Sequence, residues 1–452
     1  MEPIINRRVF FQVAATGLAG CFVSPMEMFA QKVTSVTASP ATILNTAKYA
    51  IFVLLYGAPS QVDTFDLHVG SWTPADFAPN TINGVLWPGG IMPMLAGQLG
   101  IRNFSLVRSC QSAALVHSLV QNWAQIARSP TSALGKVAPN VGSVVALEFE
   151  PQRRSNQKLP GFVVLNGGGV VASQGYFSGK YAPFDVNPSP AGLANLTNPD
   201  GEPVFTARYN TLLTADAGVR TAPSPYGTKF EEMADFYSAA RLMMYDTAVT
   251  NAFRFSTEDQ QRYGSNAFGN ACVTARNLIQ ADLGTRYIQI DLGGWDHHSN
   301  IYATGGIYNP VRQLDAGLAN LLSDLSLSPG SGGRTKLDET IIVVKGEFGR
   351  SVGNTTSAQG RDHYFVHSAL VAGGGIRGGR VLGATTADGA FVEDPGWSEG
   401  RPVYAEDWAA TIYSALGIDY TKVRNDDPLG RGFEYVPSTG NYPGKPVVEL
   451  FT

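Results

Sequence analysis

An α/β fold, with a mostly parallel central sheet between two layers of helices, is predicted by three observations. Apolar runs of strand length recur along the chain. Helix-length amphipathic stretches separate them. The connections are rich in turn formers, with 50 glycines and 27 prolines in 452 residues. Strands buried on both faces read as continuous apolar runs because helices cover each side of the sheet.

The N-terminus reads as an address and not as part of that fold. "NRRVFFQVAATGLAGC" places Arg7 and Arg8 before a short apolar run of small residues, the pattern of a twin-arginine export signal over residues 1–30. It implies a periplasmic or extracellular protein. Leu18-Ala19-Gly20-Cys21 has the order of a lipobox, which would anchor the chain through an acylated Cys21; cleavage after Ala30 would instead release it. Both readings stay open. Residues 31–47 form a Thr/Ser/Ala-rich leader, and residues 48–452 the domain.

Within the domain, "KYAIFVLLYG" (Lys48 to Gly57) opens as a buried strand, and "RYIQIDLGG", "ETIIVVKGE" and "SALVAGGG" share its character. "EEMADFYSAARLMMYD", "FGNACVTARNLIQADL", "VRQLDAGLANLLSDL" and "EDWAATIYSALG" are the helices between and after them. Residues 166–226 lack periodicity and are expected to form an irregular excursion over one edge of the site. "SPGSGGRTK" (Ser328 to Lys336) reads as a flexible surface insertion. Cys110 and Cys272 either pair or remain buried thiols, the second at least as well supported by the helical pattern around Cys272. Charged residues make up 15% and the net charge is -4, so neither disorder nor a nucleic-acid partner is expected. After the N-terminal segment no unbroken apolar run reaches membrane-spanning length.

Ligands of open α/β sheets bind beyond the carboxyl ends of the strands. The first strand is followed by Ser60, Asp63 and Asp66. The second is followed by Asp296, His297 and His298, and the third by Glu347, Arg350, Arg361, Asp362 and His363. Carboxylates and imidazoles at one edge suit a divalent cation: Zn²⁺ or Mn²⁺ for the mixed set, Mg²⁺ or Ca²⁺ for an oxygen-rich one. Arg350 or Arg361 could grip an anion. Taken singly, each residue has a plainer reading. Asp66 is a turn or cap residue, and Glu347 pairs with an arginine. His68 is exposed, His367 is structural, and His117, on an apolar helical pattern, is a core histidine.

The blocks "LLYGAPSQVDTFD", "LPGFVVLNGG", "GGWDHHSN", "VKGEFGRSVGN", "GRDHYF" and "AGGGIRGGRVLGATTADG" resemble, in order, those of an exported bacterial family, domain of unknown function 1501. That family is similar to the alkaline-phosphatase and sulfatase superfamily. The resemblance implies an alkaline-phosphatase-like three-layer α/β/α sandwich carrying one or two divalent ions. Asp63, Asp296, His298, Glu347 and His363 match as metal ligands. Arg350 would meet the substrate or support the site, and Asp362 would support His363. His297 stands where the family has threonine. Ala58 and Gln61 replace a glycine and a histidine, and no residue matches the superfamily's nucleophile cleanly; Ser60 is a candidate by neighbourhood. The implied function is hydrolysis of a small anionic ester or a sulfated or phosphorylated glycan. The rival is a non-catalytic exported protein of the same fold.

Overall fold

The computed structural model describes residues 41–220 and 223–452; the expected export signal, Cys21 and most of the expected leader lie outside the described residues. Eight strands form the central sheet: β1 (Tyr49–Leu54), β2 (Phe104–Gln111), β3 (Phe162–Leu165), β4 (Phe184–Val186), β5 (Tyr287–Asp291), β6 (Thr340–Lys345), β7 (Val366–Ala372) and β8 (Val381–Leu382). Their spatial order is β8-β2-β7-β6-β1-β5-β3-β4. Only β7 runs antiparallel to its neighbours β2 and β6. The predicted sandwich with a mostly parallel sheet is what is found.

Position follows from composition. β1, β5 and β6 are buried along their whole length and occupy adjacent places near the centre, with Leu54 in register with both Asp291 and Lys345. Three neighbouring parallel strands therefore deliver their following loops to one edge. On one face Ile51, Val53, Ile288, Ile290, Ile342 and Val344 join the core of the helices Ala267–Ala281 and Tyr308–Leu327. Each such side chain, fully buried, contributes about 1.5–3 kcal/mol. Helices Val141–Phe149 and Ala405–Ala415 pack against the sheet as well. Among the described residues no helix is long and apolar enough to cross a membrane.

Several expectations need amendment. The excursion over residues 166–226 is not wholly irregular: it contains β4 at the sheet edge and a helix, Glu202–Ala215. That helix buries none of its residues, which is why no apolar periodicity announced it. Cys110 and Cys272 are free buried thiols and do not pair; burial raises the Cys110 thiol to about 12, so it is unreactive. Ser328 to Lys336 is tied down by the Gly330 and Lys336 amides, which donate to the Arg334 and Ser328 carbonyls, and by Glu339, which accepts from Ser331.

Asp66 and His68 are more than turn polars. Asp66 is buried, pairs with Arg108 Nε at 3.0 Å and accepts from Thr385 at 2.6 Å. His68 is half-buried, with Nε2 3.4 Å from the same carboxylate. The hydrogen bond to Asp66 raises its pKa above 6.5, outweighing the opposing effect of burial. A folded-state pKa above the unfolded one stabilises fully below the unfolded pKa, and the gain is lost as pH rises through the folded one. His68→Gln is therefore expected to cost on the order of 1 kcal/mol at pH 5.5 and much less at pH 8.5, read by urea unfolding at both values. An equal cost at the two would contradict the pairing.

Candidate metal centre

Four side chains converge at the carboxyl edge of the sheet: His117, Asp296, His298 and His363, with ligand atoms all within 4.8 Å of one another. Asp296 and His298 are alternate residues in the loop after β5. His117 is the first residue of the helix His117–Ile126. His363 lies on a two-residue strand paired with Gly349–Arg350, His363 opposite Arg350. Two glycines let these loops meet. A Cβ on Gly57, whose φ is +101°, would lie 2.9 Å from the Asp296 amide nitrogen. One on Gly360 would lie 2.0 Å from the His298 carbonyl carbon, so only glycine brings the Arg361–His363 segment against His298.

The imidazoles share one arrangement. His117 Nδ1 meets Glu347 Oε1 at 2.6 Å, His298 Nδ1 meets Asp362 Oδ1 at 3.0 Å, and His363 Nδ1 meets the Leu115 carbonyl at 2.9 Å. A carboxylate or carbonyl oxygen accepts, so each Nδ1 is the donor, and each ring in its neutral form presents an unprotonated Nε2. These three Nε2 atoms face Asp296 Oδ1 at 3.4, 3.1 and 3.9 Å, in the order His117, His298, His363. The Nε2 atoms of His298 and His363 are 3.1 Å apart.

Such a set fits a divalent cation. Acceptor lone pairs at these distances repel unless a positive charge sits among them. His117 Nε2 is buried without a hydrogen-bond partner, whereas His298 Nε2 has Arg350 Nη1 at 3.4 Å. A tetrahedral ion with arms of about 2.0–2.1 Å spaces its donors by roughly 3.3 Å, beside 3.4, 3.1 and 3.9 Å from the imidazoles to Asp296 Oδ1 and at most 4.8 Å for any pair of the four. A ring Nδ1–H held by an oxygen is the usual support of a metal-binding histidine. Burial works to raise the Asp296 carboxyl, but the Arg350 hydrogen bond and charge, with His117 and His298, hold it below the usual range. Burial lowers His363, and Arg350 and the neighbouring imidazoles add to this.

Other expected site residues stand elsewhere. Asp63 is not with the four. Its oxygens are taken by Arg361 Nε at 2.8 Å, Ser60 Oγ at 2.6 Å and the Tyr302 hydroxyl at 2.8 Å, making a fully buried ion pair. Ser60, buried and donating to Asp63, is a part of that pair's shell and offers no free hydroxyl. Glu347 touches His117 where a ligand was expected: its Oε1 also accepts from the Gly57 amide and Gln121 Nε2, both at 2.9 Å. Asp362 is exposed and holds His298 rather than His363. Arg350 is buried and committed, donating to Asp296, to the Gly57 and Ala58 carbonyls and to the Arg361 carbonyl, so it fixes the centre's shape and is not free to grip an anion. His297 is outside the group of four.

The departures at positions 58 and 61 have local explanations. Ala58 holds a left-handed φ of 61°, a conformation glycine takes without strain. Gln61 is buried and clamps the Arg350 backbone, accepting from its amide at 2.7 Å and donating to its carbonyl at 2.8 Å. His117 is the ligand-type residue that pattern reading assigned to the core. The apolar stretch "AALV" precedes the helix instead of belonging to it, so His117 stands at the helix start.

Comparison with known proteins places the chain as follows. No curated protein matches it. Solved structures similar to it include a protein in the alkaline phosphatase superfamily from Vibrio parahaemolyticus, 12% identical over 84% of this chain and 69% of that one, with a TM-score of 0.37. Another is a phosphonate monoester hydrolase from Silicibacter pomeroyi, 10% identical over 89% of this chain and 76% of that one, with a TM-score of 0.39. The model of the family described as "Protein of unknown function (DUF1501)" matches residues 47–441, and the chain belongs to that family.

Proposed function

We propose that this chain is an exported metal-dependent hydrolase of phosphate or sulfate esters, with a zinc-type ion held by His117, Asp296, His298 and His363. The observation that carries the reading is the convergence of three bare Nε2 atoms on one carboxylate oxygen, at a sheet edge where Asp296 and His298 remain half exposed. Three imidazoles and one carboxylate favour Zn²⁺ over Mg²⁺ or Ca²⁺, which prefer oxygen. Such an ion, when bound, polarises an ester oxygen and lowers the pKa of a water. The chain's own contribution is rigidity. Arg350 locks Asp296 against the backbone of the first loop, while Glu347, Asp362 and the Leu115 carbonyl fix the three ring tautomers. The exposed side faces solvent, as a small anionic ester or an esterified glycan would require.

A second reading, a non-catalytic metal protein of the same fold, is favoured by one observation: Ser60 is committed to Asp63 and Arg350 to backbone carbonyls. A panel of phosphate mono- and diesters, phosphonates and sulfate esters, offered to zinc-loaded protein, separates the two. The expected result is hydrolysis of at least one class, lost with chelator, restored by zinc, and absent in Asp296→Ala/His298→Ala. Metal-replete protein that turns over none of them establishes the non-catalytic reading.

A further inference from the structure

Behind the metal centre lies a second polar site. Glu347 gives Oε1 to His117, but its Oε2 is buried with no hydrogen-bond partner. A cavity of about 10 Å³ lies here, lined by Lys345, Glu347, His367 and Glu406 together with Trp123 and Ala124. The four ionisable side chains come from separate elements: Lys345 closes β6, Glu347 follows it, His367 is on β7, and Glu406 is in the first turn of the helix Ala405–Ala415. All four are at most 4% exposed.

Their valences are complementary. His367 Nδ1 points to the Phe365 carbonyl at 3.4 Å, and Nε2 is buried without a partner. Burial, with the charge of Lys345, holds that ring well below the usual histidine range, so it is neutral and Nε2 is an acceptor. Glu347 Oε2 is a second orphan acceptor, and the Lys345 ammonium is a donor. Burial draws this ammonium down to about 8, with Cys110, Glu347 and Glu406 acting in the opposite direction. Glu406 is already engaged by Trp123 Nε1 at 2.7 Å. Two buried acceptors left unpaired carry a desolvation penalty that a donor in the cavity removes. A cavity of this size has room for roughly one water, and a buried water needs two to four polar partners. One water accepting from Lys345 and donating to Glu347 Oε2 and His367 Nε2 gives both orphan acceptors a partner.

We propose that the cavity is a built site for a single water, and that Lys345 is through it a positioning residue, holding Glu347 so that His117 keeps its proton on Nδ1. This rests on the reading of His117 as a metal ligand, and it adds a support two residues removed from the ligands themselves. Lys345 touches neither the ion nor substrate.

The test is made on the full chain. Two-bond ¹H–¹⁵N spectra of metal-free protein, with His117 assigned through His117→Asn, read the ring tautomer directly. Wild type is expected to show the Nδ1–H form alone. Lys345→Met and Ala124→Val, the second adding methyl groups into the water's space, are expected to populate the Nε2–H form. Both are also expected to lower zinc affinity about 10-fold, the low end for loss of a ligand's supporting partner. If Lys345→Met does not fold, Ala124→Val carries the test. A folded variant in which His117 stays wholly in the Nδ1–H form overturns the proposal. Wild type that binds no zinc overturns the metal reading instead, and the tautomer spectra still decide the role of Lys345.

Discussion

Arg361→Met is expected to destabilise the fold by about 3–5 kcal/mol, because it strands a buried carboxylate. Arg361 and Asp63 are both fully buried, 2.8 Å apart, and Arg361 also donates to the Ser351 and Gly353 carbonyls and to the Tyr302 hydroxyl. Removing the guanidinium leaves Asp63 with only Ser60 and Tyr302 and frees two half-buried carbonyls. The double variant Asp63→Asn/Arg361→Met should recover part of the loss, since it removes the stranded charge as well. Urea unfolding of the three proteins measures this. A loss below about 1 kcal/mol in the single variant would mean that the pair does not organise the loop.

His117→Ala is expected to lower zinc affinity by well over 100-fold. Loss of a residue that only supports a ligand already costs roughly 10–100-fold, and His117 is read as a ligand whose Nε2 is buried and otherwise unpaired. Glu347→Gln, which keeps the shape but offers an amide to His117 Nδ1, belongs in the lower range. This ordering is the distinctive claim. Had Glu347 been a ligand, as the family resemblance implied, and His117 a core residue, as its apolar surroundings in the sequence suggested, the two variants would rank the other way.

The sheet and the location of the centre were legible because burial on both faces leaves continuous apolar runs, and because polar residues cluster after three of them. "GGWDHHSN" also disclosed its geometry: with Asp296 and His298 alternate, both reach one point while His297 stays outside the group. What the chain could not disclose is pairing. Asp63 and Glu347 are both buried carboxylates one loop from the site, yet the first meets Arg361, nearly 300 positions away, and the second meets His117. Such partners are set by which loops cross, and Gly57 and Gly360 decide that without advertising it. β2 escaped notice for a related reason. Its "FSLVRSCQ" mixes polar and apolar residues, because Arg108 leaves the strand to pair with Asp66.

The most direct test is the metal content of full-length protein as purified, followed by zinc titration of metal-stripped wild type and His117→Ala. Close to one zinc-type ion per wild-type chain is expected, removable and restorable, with tight uptake lost in the variant. Wild-type protein that carries no ion and takes up none, or a His117→Ala protein that binds as tightly as wild type, would contradict it.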